Sequence, residues 1–127
     1  MNIERSVVVS LNDKEYKLNR PNNGQLLEIE VMKHRLSGGL YQDLVFTNLI
    51  SSQNTINTID MISNMSVLCP EIIKDLKINI AKIDIIDSLP ILKVYMSEVH
   101  PWVTKWQSFI QEVSTFISKQ KEEDAEE

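Results

Sequence analysis

The sequence predicts a mainly α protein, with an N-terminal β-hairpin followed by a bundle of four to six helices and a long C-terminal helix. Residues 5–19 alternate apolar and polar side chains with the period of a strand. Most of residues 25–119 places apolar side chains three or four positions apart, which is the period of a helix. Apolar residues form 43% of the 127 residues and charged residues 24%, a balance typical of one globular domain. We therefore expect one domain over residues 1–119 and an acidic tail over residues 120–127.

The hairpin is predicted over residues 5–19 because apolar and polar residues alternate in each half and the two halves are separated by a polar segment. Asn12 and Asp13 form that centre, and both residue types tolerate the positive φ angles of a tight turn. An isolated hairpin is only marginally stable in water, so its apolar face must dock on helices or pair with another chain. That face contains Val7, Val9, Leu11, Tyr16 and Leu18.

Helical spacing then predicts a series of shorter helices. Asn22 or Asn23 can cap the first of them, and a Gly-Gly pair at residues 38–39 supplies a stop signal at its end. Pro70 separates the third helix from the fourth, because the residue before a proline avoids the α region. Residues 77–87 match neither period, and we assign them to a connector. The predicted helices cover residues 25–37, 40–50, 53–69 and 70–76, and the first presents Leu26, Ile29, Met32 or Lys33, and Leu36 on one face.

A long apolar stripe dominates the C-terminal segment, where residues 89–119 predict either one helix kinked at Pro101 or two helices. The stripe consists of three columns whose members lie seven residues apart. Three adjacent columns are wider than the two-column seam of a two-stranded coiled coil, so the stripe suits burial against two neighbours. The columns are Val99, Trp106 and Val113; Trp102, Phe109 and Phe116; and Val103, Ile110 and Ile117.

Apolar residues at helical spacing normally belong to a core, and the protein's own helices can cover most of this stripe. Trp is enriched at binding hot spots, however, and Trp102 and Trp106 lie four residues apart on one face. We therefore predict that part of the stripe binds a protein partner or a second copy of the chain. The predicted partner-binding residues are Val99, Trp102, Val103, Trp106, Phe109, Ile110 and Val113.

Charge is concentrated at the C-terminus. Residues 119–127 hold five acidic residues and two lysines, a net charge of −3 within a chain total of −5. The remaining residues therefore carry only −2, and we expect no nucleic-acid partner, because such a partner requires a basic face. The charge run contains no large apolar residue, so we expect residues 120–127 to be disordered.

No pattern in the sequence points to a catalytic, metal-binding or cofactor-binding site. The chain contains no HExxH, no CxxC, no phosphate-binding glycine loop and no nucleophile elbow. We interpret Cys69 as a buried thiol, and His34 and His100 as surface or capping residues. Asp84 and Asp87 lie three residues apart, and we interpret them as a solvated face or a helix cap and not as metal ligands. We therefore expect a protein that is not an enzyme and needs no metal or cofactor.

The sequence also predicts the cellular compartment of the protein. A single cysteine permits no intramolecular disulfide, the N-terminal residues lack the apolar run of a signal peptide, and no stretch approaches the roughly 20 apolar residues of a membrane span. We therefore expect a cytoplasmic protein without a membrane partner. If the protein is viral, that compartment is the cytoplasm of the host.

The order of the first elements resembles the tail-assembly chaperones of long-tailed bacteriophages. The resemblance rests on the hairpin VVVSLNDKEYKL at residues 7–18, on the segment RPNNGQLLEIEVMKHRLSGGLYQDLV at residues 20–45, and on the helices and charged tail that follow. It implies a small, mostly helical cytosolic protein that associates with the tape-measure protein during tail building and also with itself. That family has no catalytic motif, so the resemblance implies no role for individual residues.

These observations lead us to expect a non-enzymatic bacteriophage protein that binds other protein chains, most specifically a tail-assembly chaperone. The face around Trp102, Trp106, Phe109 and Ile110 would capture an apolar helix of the tape-measure protein or another tail protein, and we expect a homo-oligomer. One alternative is a structural subunit of the virion, such as a connector or a minor capsid or tail component, whose hairpin extends a neighbour's sheet. Another is a host-takeover inhibitor. An enzyme or a small-molecule-binding domain would require a polar pocket that the sequence does not indicate.

Overall fold

The computed structural model describes residues 3–45, 50–77 and 84–126. It confirms the mainly helical fold, with one antiparallel hairpin at the N-terminus and a long helix at the C-terminus. The strands are β1 (Ser6–Leu11) and β2 (Lys14–Asn19). The helices are α1 (Asn23–Leu36), α2 (Tyr41–Val45), α3 (Ile50–Leu68), α4 (Pro70–Asp75), α5 (Ile85–Val94) and α6 (His100–Glu126), and a π-helical segment (Tyr95–Val99) joins α5 to α6.

The hairpin forms as its sequence predicts. Asn12 and Asp13 make a two-residue turn with φ angles of 51° and 63°, which matches the right-handed twist of the flanking strands. Val9 pairs with Tyr16 across the two strands, and both side chains are buried together with Leu18. This apolar face lies against the π segment, α3 and α5, so the helices supply the cover that an isolated hairpin lacks.

Helix α1 begins with a reciprocal cap. The Asn22 side chain accepts a hydrogen bond from the Gln25 backbone N–H at 2.8 Å, and the Gln25 side chain accepts one from the Asn22 N–H at 3.0 Å. Ile29 and Lys33 are the buried residues of α1, so the buried face continues through the lysine and not through Met32. The Gly-Gly pair at residues 38–39 ends the helix with positive φ angles, as predicted.

Helix α3 is the central element of the bundle, and it contacts α1, α2, α4, α5 and β2. Pro70 starts α4 directly after Cys69, in agreement with the predicted break. The core assembles around α3 from the hairpin, α4 and the C-terminal segment. Its buried members are Val9, Leu11, Tyr16, Leu18, Met61, Ile62, Met65, Cys69, Ile72, Leu92, Tyr95, Val99, Trp102, Val103 and Trp106.

The segment from residue 85 to residue 126 is one continuous rod. Asp84 caps it by accepting a hydrogen bond from the Asp87 N–H at 2.8 Å, which confirms the capping interpretation of this acidic pair. The rod therefore begins at Ile85, earlier than the start at residues 89–90 that the sequence indicated. Of the predicted connector, residues 78–83 lie outside the described residues.

Pro101 neither separates two helices nor ends one. The π segment lies directly before it, and the His100 N–H donates to the Tyr95 carbonyl, five residues back. A π turn of this kind takes up an extra residue without breaking the rod.

Helix α6 extends through Glu126, whereas the sequence predicted disorder over residues 120–127. The reason is local: residues 118–126 contain no glycine or proline and are rich in Glu, Lys and Gln, which are good helix formers. Every residue from Gln107 to Ala125 is exposed. This half of α6 spans about 30 Å at 1.5 Å per residue, and most of it projects from the body of the protein.

Candidate protein-interaction surface

The first half of the predicted binding stripe belongs to the core of a single protomer. Val99, Trp102, Val103 and Trp106 are all buried beside Tyr95. The Trp102 indole N–H donates to the Glu4 carbonyl at 2.7 Å, which ties α6 to the chain just before β1. The two indole rings pack edge to face, with centroids 6.1 Å apart. These four predicted binding residues are therefore inaccessible to a partner in this conformation.

The second half of the stripe is exposed. Phe109, Ile110 and Val113 leave 44%, 40% and 41% of their surface accessible. The same face continues with Phe116 at 66% and Ile117 at 47%. We call these five residues the distal stripe. The sequence analysis placed Phe116 and Ile117 in its apolar columns but not in its predicted binding set, and the structure joins them to it.

A groove marks the place where α6 leaves the body. It has a volume of about 310 Å³ and lies between α1 and α6. Ile110 belongs both to this groove and to the distal stripe, so the two surfaces are continuous. The lining residues are Leu26, Ile29, Glu30, Trp106, Gln107, Ile110 and Gln111. Sequence reasoning missed the groove, because nothing in the pattern of either helix shows that their ends meet here.

A second apolar patch lies on the outer side of α1. Leu27 and Val31 are exposed, at 67% and 49% of their surface, one helical turn apart. They line a shallow groove of about 350 Å³ with Val67 on α3. This patch offers two large apolar side chains on a helix that the body already supports, whereas the distal stripe offers five on an unsupported helix. The distal stripe is therefore the stronger candidate.

A polar cluster around the buried Lys33 joins α1 to α2 and α3. The Lys33 ammonium lies 3.6 Å from Asp60 and 3.5 Å from Glu30, and it faces the Tyr41 ring. The Tyr41 hydroxyl donates to Asp60 at 2.8 Å. Burial raises the pKa of Asp60, and the neighbouring lysine charge opposes that rise. Each member has a partner within the cluster, so its role is to fix the three helices relative to one another.

Cys69 and the two histidines lie in three separate parts of the fold. Cys69 is buried before α4, where burial raises the pKa of its thiol, which matches the interpretation of an inert buried cysteine. His34 is exposed on the last turn of α1. His100 lies at the start of α6, where its ring contacts Thr104 and Tyr95.

Two further observations concern metals and membranes. Within residues 3–45, 50–77 and 84–126, no group of three His, Cys, Asp or Glu residues is placed to hold a metal ion. None of the helices in this part of the chain is both long and apolar enough to cross a membrane.

The chain was also compared with known proteins. No protein-family model, no curated protein and no solved structure matches it.

Proposed function

We propose that this protein acts without catalysis, by binding another protein chain through the distal stripe. The single observation that carries this proposal is the apolar face from Phe109 to Ile117 on a helix that the body does not cover. Contiguous apolar surface of this kind is rare on monomeric proteins and marks interaction sites. Most of the stability of a helix in a protein comes from packing of its apolar face, so a partner would stabilise this part of α6 as well as cover it.

The amount of apolar surface sets the expected strength of binding. Fully burying a large apolar side chain stabilises a complex by about 1.5–3 kcal/mol. Each of the five side chains of the distal stripe is about half exposed, so its burial contributes about half of that amount. Covering the distal stripe is therefore favourable by roughly 5 kcal/mol, which is comparable with the lower estimates of the cost of association. Additional contacts are needed for tight binding, and the groove beside Ile110 offers them.

The role that fits this surface is that of a tail-assembly chaperone, a protein that covers an apolar helix of the tape-measure protein until the tail is built. Helix-in-groove binding requires an amphipathic helix beside a partly formed groove, and α6 and α1 provide both. In this proposal Trp102 and Trp106 do not touch the partner. They anchor α6 in the body and so hold the distal stripe in position.

The test is co-expression of the tagged protein with the tape-measure protein of the same phage. We expect Val113→Glu to reduce the amount of tape-measure protein that co-purifies at least tenfold, because it places a charge in the centre of the stripe. Val31→Glu is the matched control, since Val31 is a similarly exposed valine on the α1 patch. Equal recovery with both variants would show that the distal stripe is not the binding surface. A tail-bearing particle that contains the protein would favour the virion subunit over the chaperone.

A further inference from the structure

We propose that the distal stripe selects one chemical class of partner, namely an amphipathic helix of another chain that carries a basic residue beyond each end of its apolar face. This proposal rests on the proposed function, because it specifies the partner of that same surface. Carboxylates mark both ends of the distal stripe, about 21 Å apart along α6, and each would hold one of the two basic residues.

Two carboxylates mark the outer end of the distal stripe. Seven residues beyond Phe116, its column continues with Glu123. Seven residues beyond Ile117, its column continues with Asp124. Both acidic residues lie on α6 and are exposed. The apolar face therefore ends in negative charge on its own side of the helix.

The two lysines of this region stand outside the three apolar columns. Lys119 and Lys121 occupy the columns of Glu112 and Ser114. Neither lysine forms an ion pair with Glu123 or Asp124, within the part of α6 that the structure describes. Residues 107–126 hold five acidic residues and two lysines, a net charge of −3. A helix seated on the distal stripe therefore meets an excess of negative charge at the outer end.

The groove between α1 and α6 marks the inner end of the distal stripe. Glu30 is the charged residue among its described lining residues, and its side chain is 69% exposed. Gln107 and Gln111 line the same groove from α6, and each side-chain amide has a carbonyl oxygen that accepts hydrogen bonds. One carboxylate and two amide oxygens suit the guanidinium of an arginine or the ammonium of a lysine.

Glu30 can accept this second cation although it already has a basic neighbour. The Lys33 ammonium lies 3.5 Å from Glu30 and 3.6 Å from Asp60, so one cation is shared between two carboxylates. Lys33 is buried, whereas the Glu30 side chain is exposed. An ionised carboxylate accepts several hydrogen bonds, so a cation in the groove would add to the contact with Lys33 and not replace it.

The spacing of the carboxylates would give the surface its selectivity. From Ile110 in the groove to Asp124 is about 21 Å, at 1.5 Å per residue. Apolar contacts alone tolerate a partner helix that slides along the stripe. Charge pairs at both ends would fix one register and would reject helices with acidic ends. The same carboxylates repel phosphate groups, which disfavours nucleic acid and anionic membranes as partners.

The test uses the full chain and three fluorescently labelled synthetic helical peptides, with binding measured by fluorescence anisotropy. The peptides share one apolar stripe of leucines and differ only in two flanking residues, about 14 positions apart, which are both arginine, both glutamine or both glutamate. We expect the arginine peptide to bind about tenfold more tightly than the glutamine peptide, and the glutamate peptide to bind most weakly, because each exposed ion pair contributes modestly. High salt should remove most of this preference.

Variants of the chain assign the preference to the two ends. Glu30→Gln and Glu123→Gln should each reduce the preference for arginine over glutamine about threefold. Their matched controls are Glu28→Gln, which lies on the other side of α1, and Glu122→Gln, which belongs to none of the three apolar columns. Both controls should keep the preference, and circular dichroism would verify that all four variants are folded. A preference unchanged in Glu30→Gln and Glu123→Gln would overturn the proposal.

Val113→Gln separates this proposal from the proposed function, because it weakens the apolar stripe without changing its charge. Equal affinity for the three peptides that is lost in Val113→Gln would overturn the charge preference and leave the distal stripe as the binding surface. Binding that survives Val113→Gln, or no binding of any peptide, would overturn the proposal, and capture of the tape-measure protein would still test the proposed function separately. Binding to vesicles of phosphatidylserine and phosphatidylcholine, or a dimer that excludes the arginine peptide, would show that a membrane or a second copy occupies the stripe instead.

Discussion

Replacing each of the two tryptophans by phenylalanine should destabilise the protein to very different degrees. Both indoles are buried in the same core and pack against each other. The Trp102 N–H donates to the Glu4 carbonyl at 2.7 Å, whereas the buried Trp106 N–H has no acceptor among the described residues. The pair of variants therefore separates the effect of a hydrogen bond from the effect of lost packing.

The expected magnitudes follow from these contacts. Trp→Phe removes a similar amount of apolar contact at both positions, at a cost of about 1–2 kcal/mol. At Trp102 the variant also loses the hydrogen bond to the Glu4 carbonyl, which adds about 0.5–1.5 kcal/mol. At Trp106 it removes an unsatisfied donor, which offsets about 1–2 kcal/mol of the packing loss. We therefore expect Trp102→Phe to lower the free energy of unfolding by roughly 3 kcal/mol, and Trp106→Phe by less than about 1 kcal/mol.

The assay is urea unfolding followed by circular dichroism at the helical band. Both variants should be measured at several protein concentrations, because association would make the stability depend on concentration. Equal slopes in urea would show that the variants expose the same surface on unfolding, so that midpoints can be compared directly. Equal losses of stability, or a larger loss for Trp106→Phe, would refute the reasoning.

Three further predictions concern charge and turn geometry. Lys33→Met leaves the partly buried Asp60 without its cation, so we expect a loss of about 3 kcal/mol by urea unfolding, much of it recovered by adding Asp60→Asn. Asp13→Val should cost about 1–2 kcal/mol in the same assay, because Asp13 has a φ angle of 63°, whereas Asp13→Gly should cost nothing. The hydrogen bond from Lys14 lowers the pKa of Asp75. The ionised Asp75 carboxylate therefore stabilises the fold above its ordinary pKa of about 4, and this stabilisation is lost as pH falls through the lowered pKa. We expect Asp75→Asn to flatten the decline of the urea midpoint below about pH 4, because the variant has no carboxylate to titrate.

Each of these three predictions is contradicted by one specific result. A double variant at Lys33 and Asp60 no more stable than Lys33→Met would show that charge burial is not the cause of the loss. Identical stability of the valine and glycine variants at Asp13 would mean that the turn relaxes away from positive φ. An unchanged pH profile for Asp75→Asn would show that Lys14 interacts with Asp75 too weakly to perturb its titration.

Features set by residues close in sequence were predictable. The turn at Asn12 and Asp13 requires residues that accept positive φ, and the cap of α1 requires Asn22 three residues before Gln25. The exposed N-cap of α5 at Asp84 is of the same kind. Each depends on the backbone of one turn, so a single sequence carries the required information.

The division of the apolar stripe was not predictable, because it depends on where the body ends. Trp106 and Val113 occupy the same column seven residues apart, yet the first is buried and the second exposed. The difference arises because the core that covers α6 ends at Trp106, and beyond it α1 lines only an open groove that reaches as far as Gln111. Periodicity identifies a face of a helix, but it does not identify which neighbour covers each turn of that face. Burial of Lys33 in place of Met32 has a similar cause, since Asp60 on another helix provides its partner.

The direction in which the distal stripe faces depends on a balance around Pro101. Proline has no N–H, and its ring collides with the carbonyl four residues before it, so the preceding turn widens into the π segment. Returning that turn to α geometry would bring the Pro101 ring back against the carbonyl four residues before it and would rotate the rest of α6 by roughly 90°. That rotation would take Trp102 and Trp106 out of the core, at a cost of about 3–5 kcal/mol each. The proline and the packing of the two indoles therefore favour the same geometry, and the indoles hold the distal stripe on the side of the body where α1 completes its groove.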